Sequence, residues 1–180
     1  MGERAMVLAA GGITDGRQVA ASLCLGADGV WVGTRMVASH EARVHPEHHR
    51  RLVAAAGDSA VLTSIFGPEF PRFNPMRLQR NRVVAEWNDR VAEIPADLDS
   101  LDPVGTTIVQ GEEAPVRKFP LLLAVAETEA DWEEMPWLMG QGVGLVHDIK
   151  PAADIVTDMM KQAEQVLTGF GAATRDRSPS

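Results

Sequence analysis

Two short apolar runs, each leading into a glycine turn, constrain the fold of this chain more than any other feature. The first run, Met6–Ala10, leads into Gly11-Gly12, and the second, Gly29–Val32, leads into Gly33-Thr34. Continuous apolar runs are typical of strands buried in a parallel sheet. An amphipathic segment from about Arg17 to Leu25 lies between the two runs. A strand, a helix and a strand within about 25 residues predict a right-handed βαβ unit with parallel strands.

Glycine at the carboxyl ends of two neighbouring parallel strands predicts a phosphate site. One such turn has two interpretations, a tight turn that needs a positive φ or close approach of a ligand to backbone N–H groups. Two turns on consecutive strands favour the ligand, because ligands in α/β folds gather at those strand ends. The loops after the last two strands of (β/α)8 barrels commonly hold a phosphate. Thr34 adds a hydroxyl donor at the same place.

The spacing of these glycines excludes two common nucleotide motifs. The pattern Gly-x-Gly-x-x-Gly is absent after Ala10, and no acidic residue ends the second run. A phosphate-binding lysine of the Walker type is absent as well. The sequence therefore predicts neither a simple NAD site nor an ATP site.

The composition indicates a globular protein with an acidic surface. The chain has 180 residues, 45% of them apolar, and a formal net charge of -8. This size suits one domain. Negative charge disfavours nucleic acid and anionic membranes as partners, although a local nest of N–H groups can still hold phosphate. We therefore expect no nucleic-acid partner.

Cysteine content and apolar run lengths predict a cytoplasmic protein with no membrane partner. No apolar run approaches the roughly 20 residues that a membrane span requires, and Met1–Arg4 leads into a strand without a signal peptide. Cys24 is the only cysteine, which fits a reducing compartment. Its position on the apolar face of the first helix predicts a buried, inert thiol.

Further elements follow from spacing and from helix breakers. Proline before and glycine after an amphipathic run predict a helix, whereas proline-rich polar stretches predict loops. The predicted elements are a helix over Glu47–Ala56, an extended segment over Ala60–Phe66, a helix over Pro75–Val91, a polar loop over Pro95–Pro115 and a final helix from Pro151 to Gly169.

The stretch AAGGITDGRQVAASLCLGADGVWVGTRM, Ala9–Met36, resembles the last two β/α units of the nitronate monooxygenase family, formerly called 2-nitropropane dioxygenases. These enzymes are FMN-dependent (β/α)8 barrels. The segments Val61–Trp87 and Gly140–Val146 agree as well, and residues 88–135 match least. Related FMN barrels share the paired glycine motifs, among them the flavin enoyl reductases and, more loosely, the IMP dehydrogenases.

The resemblance implies an α/β fold, namely the C-terminal part of an FMN-binding TIM barrel followed by an α-rich appendage. It divides the chain into the last two β/α units (1–40), a mostly helical appended segment (41–171) and a disordered tail (172–180). By resemblance, Gly12 binds the FMN phosphate. The full set of expected FMN-binding residues is Gly11, Gly12, Trp31, Val32, Gly33 and Thr34.

Two of the residues near this expected site leave questions open. Trp31 is bulkier than the position would lead us to expect, so its contact with FMN would be through the backbone. Arg35 has two equally weighted interpretations, a phosphate counterion or a salt bridge at the barrel rim.

The activity implied by the resemblance is the oxidation of a small-molecule alkyl nitronate with O₂, which gives a carbonyl compound and nitrite. An eight-stranded barrel needs about 200 residues, so we expect a fragment that lacks the catalytic N-terminal half. None of the five histidines stands in the motif of the family's catalytic histidine, and no catalytic residue is transferred. The alternatives are an enoyl reductase-like barrel and a non-catalytic module that binds phosphate or packs on another chain, and a homo-oligomer is compatible with each.

Other residues that could carry chemistry favour structural interpretations. His45, His48 and His49 lack a carboxylate or cysteine that would complete a metal site, and they predict a solvated helix N-terminus. His147-Asp148 is interpreted as loop or cap material. The glycine cluster Gly140-Gln141-Gly142 either approaches the flavin or only turns the chain. Two larger groups, expected to form intramolecular ion pairs and core contacts respectively, are the arginines Arg72, Arg77, Arg80 and Arg82 and the apolar cluster Trp132, Met135, Trp137, Leu138 and Met139.

Overall fold

The structure is a computed structural model that describes residues 5–68, 75–95 and 97–175, without the side chains of Leu98 and of residues 170–175. Of the tail predicted for 172–180, residues 172–175 continue the last helix, and 176–180 lie outside the described residues. Arg72 also lies outside them.

The described chain forms three small sheets and five α-helices. The first sheet holds β1 and β2 in parallel, the second holds β3 and β4, and the third has the order β6-β5-β7. In chain order, the elements are β1 (Leu8–Ala10), α1 (Gly16–Cys24), β2 (Gly29–Trp31), α2 (Thr34–Val37), α3 (Pro46–Ala54), β3 (Ala60–Thr63), β4 (Met76–Gln79), α4 (Arg82–Trp87), β5 (Pro103–Val109), β6 (Glu112–Arg117), β7 (Glu129–Ala130) and α5 (Ala152–Arg175), with 3₁₀ helices at Asn88–Glu93, Leu98–Ser100 and Gln141–Leu145.

The predicted βαβ unit is confirmed. β1 and β2 pair in parallel, with Leu8 opposite Gly29 and Ala10 opposite Trp31. Helix α1 begins after Asp15, whose carboxylate accepts a hydrogen bond from the backbone N–H of Gln18. This is an N-cap of the usual kind, since Asp satisfies a helical N–H that has no partner within the helix. We call residues 8–37 the N-terminal unit.

Helices α1 and α5 cover one face of the β1–β2 sheet and leave the other face open. Ala9 and Val30 pack on the covered side, against a cluster formed by Ile13, Val19, Ala20, Ile155, Met159 and Ala163. Because side chains alternate between the faces of a strand, Leu8 and Trp31 lie on the opposite side, where they are 47% and 71% exposed. The sheet therefore has an apolar open face.

A second core lies in the middle of the chain. We call it the tryptophan core, because the fully buried Trp137 is its largest member and its indole Nε1–H donates to the carbonyl of Trp132 at 2.7 Å. Its buried residues are Ala38, Leu52, Val116, Ala124, Met135, Trp137, Met139, Val143 and Val146. Burial of each larger apolar side chain contributes roughly 1.5–3 kcal/mol.

The helix predicted over Pro75–Val91 is wrong in its first half. Residues Met76–Gln79 form β4, which pairs antiparallel with β3. The helix begins only after Asn81, whose side chain accepts a hydrogen bond from the N–H of Val84. Tertiary pairing with a neighbouring strand has overridden the local preference.

The loop predicted over Pro95–Pro115 is also wrong, since it contains β5 and most of β6. The β-branched run within Pro103–Val109 supplies the strand propensity, and a two-residue turn at Gln110-Gly111 reverses the chain so that Val109 pairs with Glu112. With these strands, region 41–171 carries β3–β7 beside its helices and is less helical than expected.

The thiol of Cys24 is exposed, contrary to the buried position predicted for it. The face of α1 that packs on α5 consists of Gly16, Val19 and Ala20, which are buried, and of the half-buried Leu23. Cys24 is the last residue of the helix and lies beyond this contact.

Candidate functional site

The candidate site begins with the first glycine turn, Gly11-Gly12, at the carboxyl end of β1. Both residues have positive φ values, +92° and +72°, which L side chains rarely adopt. A Cβ atom built at Gly11 would meet nothing within 4 Å. The turn is therefore fixed by its backbone conformation, and at Gly11 it leaves space beside the backbone.

The second glycine turn, Gly33-Thr34, lies at the same end of the sheet. Because Ala10 and Trp31 are paired, the residues that follow each strand emerge side by side. Gly33 is exposed and precedes the four-residue helix α2. The structure thus places the two turns at one edge, as the strand pattern predicted.

A third glycine turn, Gly140-Gln141-Gly142, contacts both of the others. The N–H of Gly140 donates to Oγ1 of Thr34 at 2.8 Å. At Gly142, a Cβ atom would lie 2.4 Å from the carbonyl oxygen of Gly12 and 2.8 Å from Cγ2 of Thr14. No side chain fits there, so glycine is required by the close approach of the two backbones. This turn braces the other two, a role that sequence reasoning had left open.

The two remaining residues of the predicted set, Val32 and Trp31, differ in what their side chains do. Val32 is half-buried and packs on the α1–α5 cluster, so that only its backbone is available at the turn. Trp31 is 71% exposed on the open face of the sheet.

Arg35 forms a salt bridge, as in one of its two interpretations. Its buried guanidinium donates to the backbone carbonyl of Asp148 at 2.9 Å and to the Asp148 carboxylate at 2.6 Å. Burial raises the pKa of Asp148, but hydrogen bonds from Lys150 and Arg35 outweigh it and hold the pKa below its ordinary value. The positive charge of Arg35 is therefore matched by a carboxylate. Asp148 is an ion-pair partner rather than only loop material.

Gln18 belongs to the candidate site, although the sequence analysis did not select it. Its side-chain Nε2 donates to the carbonyl of Gly12 at 2.8 Å, and its Oε1 accepts from the N–H groups of Thr14 and Asp15 at 2.7 and 3.2 Å. The spacing Asp-x-x-Gln, which predicts a capping box, was the signal in the sequence that could have identified it.

An open cleft of about 580 Å³ borders the first glycine turn. Gly11 and Gly12 form part of its wall, together with Gln18 from α1 and Gln141 and Leu145 from the 3₁₀ helix. The lining is a mixture of backbone, amide and apolar groups. The cleft gives a ligand access to the first turn from the side of α1.

A family model described as nitronate monooxygenase matches residues 5–162. The chain belongs to the nitronate monooxygenase family. It is 33% identical over 158 residues to a Mycobacterium tuberculosis protein named as a monooxygenase, and 32% identical over 179 residues to nitronate monooxygenase npaC of Metarhizium robertsii. Its structure is similar to that of FabK from Thermotoga maritima, with a TM-score of 0.66 and 29% sequence identity.

These relatives are much longer than the matched region. The alignments cover 87% and 92% of this chain but only 38% and 43% of the two curated relatives. The structural match covers 94% of this chain and 48% of FabK. The chain thus spans about two fifths of the curated relatives that it matches. What its structure shares with that of FabK is an α/β fold.

The three clustered histidines of this family member hydrogen-bond to backbone. His45 Nδ1 accepts from the N–H of Glu47 at 3.0 Å, His48 Nε2 lies 2.9 Å from the carbonyl of Leu138, and His49 Nε2 lies 2.9 Å from that of Val37. His48 is buried, contrary to the solvated position expected, and burial lowers its pKa. Within residues 5–68, 75–95 and 97–175, no group of three or more His, Cys, Asp or Glu side chains is arranged to hold a metal ion.

Of the arginine group, Arg82 forms the intramolecular ion pairs that were expected, whereas Arg77 contacts a backbone carbonyl. Arg82 donates to Asp131 at 2.5 Å and to Glu134 at 2.9 Å. Arg77 donates to the carbonyl of Ala60 at 3.5 Å.

In the part of the chain that the structure describes, no helix combines the length and apolar character needed to cross a membrane.

Proposed function

We propose that this chain supplies the phosphate-binding end of an FMN-dependent barrel of nitronate monooxygenase type. The observation that carries the proposal is the meeting of two glycine turns at the carboxyl end of parallel strands, braced by a third. Membership of the nitronate monooxygenase family supports a flavin as the ligand.

The groups at the turns suit a phosphate. The first turn offers N–H groups of Gly11 and Gly12 in a positive-φ conformation with open space beside Gly11. The second turn offers the N–H groups of Gly33 and Thr34. The Thr34 hydroxyl accepts from Gly140, and its own hydrogen can still be donated to an anion. We propose that Trp31 and Val32 contribute backbone only.

We further propose that residues 1–40 are the last two β/α units of a barrel and that residues 41–171 are a segment appended to it. Among the described residues, one face of the β1–β2 sheet is open and no third strand pairs with it, which supports this proposal. Parallel sheets occur almost only with both faces covered, and a sheet of two strands has little stability of its own. The other barrel strands would cover Leu8 and Trp31 and extend the sheet.

In the proposed reaction, an alkyl nitronate would be oxidised with O₂ to a carbonyl compound and nitrite, and a flavin held at these turns would supply the electron-transfer chemistry. The residues of this chain hold and orient the phosphate through backbone N–H groups and the Thr34 hydroxyl. The salt bridge between the buried Arg35 and the half-exposed Asp148 fixes α2, which follows the second turn. We assign no catalytic residue within this chain.

A binding titration tests the proposed cofactor site. FMN and riboflavin differ only in the phosphate, so a chain that uses these turns should bind FMN at least about tenfold more tightly, which corresponds to about 1.4 kcal/mol. Flavin fluorescence measures both dissociation constants. Thr34→Val should reduce the preference for FMN, and Thr34→Ser, which keeps the hydroxyl, should preserve it. Equal affinities for the two flavins would contradict the proposal and favour a module that only packs on another chain.

A second candidate is a barrel of the flavin enoyl reductase type, since both families share the paired glycine motifs. The two candidates differ in substrate rather than in the phosphate site. Turnover assays with an alkyl nitronate and with an enoyl thioester plus reduced nicotinamide would separate them in a protein that contains the complete barrel. The chain by itself should show neither activity, because the proposed barrel needs further strands. Nitrite release by the purified chain would overturn that expectation.

A further inference from the structure

We propose that Gln18 is a positioning residue for the first glycine turn, a role that rests on the proposed phosphate site. The side chain makes hydrogen bonds to three residues of the loop that follows β1, namely Gly12, Thr14 and Asp15. Nε2 donates to the Gly12 carbonyl at 2.8 Å, while Oε1 accepts from the Thr14 N–H at 2.7 Å, the Thr14 hydroxyl at 3.1 Å and the Asp15 N–H at 3.2 Å.

The network determines the orientation of this amide. Its oxygen faces two backbone N–H groups and its NH₂ group faces a carbonyl oxygen. The reversed amide would place NH₂ against N–H and oxygen against oxygen, which removes every backbone bond. Only glutamine can both accept from Thr14 and Asp15 and donate to Gly12 from this position, because a glutamate carboxylate has no donor.

Helix capping alone does not account for these contacts. A capping box requires the side chain of the third helical residue to accept from the backbone N–H of the N-cap, and glutamate serves as well as glutamine. Gln18 satisfies that requirement through Asp15. The bond to Gly12 reaches three residues further upstream and contributes nothing to the cap.

The bond to Gly12 is a directional restraint on a turn made of two glycines. Glycine has access to many backbone conformations, and Gly12 has no side chain with which to anchor itself. Gln18 holds its carbonyl by a hydrogen bond, and Gly142 packs against the same oxygen. Since the peptide unit is planar, fixing this carbonyl orients the whole peptide between Gly12 and Ile13 and thereby restricts the backbone rotation of Gly12, whose own N–H belongs to the proposed site. A turn held in this way loses less conformational entropy when an anion binds.

The test compares Gln18→Glu with Gln162→Ala in the full chain. Gln18→Glu keeps the capping box and loses the bond to Gly12. Gln162 is the matched control, because its Oε1 accepts from the N–H of Gly16 at 2.7 Å, within the first turn of the same helix, but makes no bond to the glycine turn. We measure the ratio of riboflavin to FMN dissociation constants by flavin fluorescence and the midpoint of thermal unfolding.

We expect Gln18→Glu to lower the preference for FMN about tenfold while the thermal midpoint stays close to that of the wild type. Gln162→Ala should lower the midpoint and leave the preference unchanged. The new carboxylate of Gln18→Glu also repels phosphate, and this part is screened when salt is raised from 0.1 M to 1 M, where the Debye length falls from about 10 to 3 Å. The loss of FMN preference that persists at 1 M salt measures how much Gln18 contributes by positioning the first glycine turn.

Two results would overturn this assignment. One is a Gln18→Glu chain that regains the full preference for FMN at 1 M salt, and the other is an equal loss of preference in Gln162→Ala. A wild-type chain without any preference would instead contradict the proposed phosphate site. In that case, the NMR amide resonances of Gly12 and Ile13 test whether Gln18 fixes the turn. If it does, these resonances should shift in Gln18→Glu and not in Gln162→Ala.

Discussion

The β1–β2 sheet and the tryptophan core lie in the same chain but differ in how completely they are covered. One face of the sheet packs on α1 and α5, and the other leaves Leu8 and Trp31 exposed. Trp137, in contrast, is fully buried, donates a hydrogen bond and has the guanidinium of Arg51 5.1 Å from its ring centre. The candidate ligand site lies in the less complete region.

Fully buried contacts therefore stabilise the tryptophan core, whereas the candidate ligand site lies in the N-terminal unit. The tryptophan core is complete within the described residues, and an ion-pair network that joins Arg51 to Glu47 and Glu133 lies at its surface. The N-terminal unit contributes the glycine turns and an apolar face that the described residues leave uncovered. The contact of the third glycine turn with the first is one link between the two regions, and the packing of Val37 on the tryptophan core is another.

The largest expected effect comes from truncating the buried tryptophan. Trp137→Ala should reduce the free energy of unfolding by about 3–5 kcal/mol, because it leaves a cavity and removes the hydrogen bond to Trp132. The matched control is Trp31→Ala, which should change it by less than about 0.5 kcal/mol, as is usual for surface positions. Denaturation with urea measures both. A comparable loss in Trp31→Ala would show that the open face is covered in solution.

The second prediction concerns the link between the regions. Gly142→Ala places a methyl group 2.4 Å from the Gly12 carbonyl oxygen, so backbone must move. We expect a loss of about 1–3 kcal/mol in unfolding free energy, as for overpacked sites, together with weaker FMN binding. Gly144→Ala is the control, because its Cβ would meet the backbone of Gly57 at 2.7 Å and not the carbonyl of Gly12. If both variants lose stability and FMN affinity equally, the brace has no specific role.

The N-terminal unit could be predicted from the sequence because its signals are local. The apolar runs, the helix between them and the glycines all lie within Met6–Thr34, and each follows from a short pattern. The parallel pairing of β1 and β2 and the meeting of the two turns then follow from chain connectivity. The bracing role of Gly140 and Gly142 could not be predicted, because it depends on a contact between backbones more than a hundred residues apart.

The part of the chain between the N-terminal unit and α5, residues 38–151, is called the central region. It was harder to predict because its elements depend on partners distant in sequence. Met76–Gln79 has the composition of a helix, but its strand form is fixed by β3. The role of Arg35 also depends on a distant partner, because its salt bridge is with Asp148, which the local sequence does not indicate. Cys24 was misplaced because the apolar pattern of α1 continues beyond the end of its contact with α5.

Acid should weaken the central region through Glu47. Hydrogen bonds from Arg50 and Arg51, opposed by burial, lower its pKa from 4.5 to about 2. A pKa lower in the folded state means that the stabilisation is complete above pH 4.5 and is lost as the pH falls towards 2. Solvent screening limits the effect to about 1 kcal/mol. Unfolding free energies measured between pH 5 and 2.5 check it, and Glu47→Gln should remove this part of the pH dependence.

The smallest expected effect is that of His48, which titrates in a different range. Burial is the main cause of its lowered pKa, opposed by the hydrogen bond to Leu138 and assisted by the charges of His49 and Arg51. Since the unfolded state binds the proton more readily, stability should be constant well above pH 6.5 and decline as the pH falls below it. His48→Gln, which can still donate to the Leu138 carbonyl, should abolish this decline.

Tryptophan fluorescence assigns the pH response to one region, because three of the four tryptophans lie in the central region and only Trp31 lies in the N-terminal unit. In a Trp31→Phe background, the remaining fluorescence reports on the region that contains Glu47 and His48. We expect its unfolding midpoint to keep the same pH dependence as in the wild type. A decline below pH 6.5 that persists in His48→Gln would show that His48 is not the titrating group. A decline that disappears in the Trp31→Phe background would place the titrating group in the N-terminal unit.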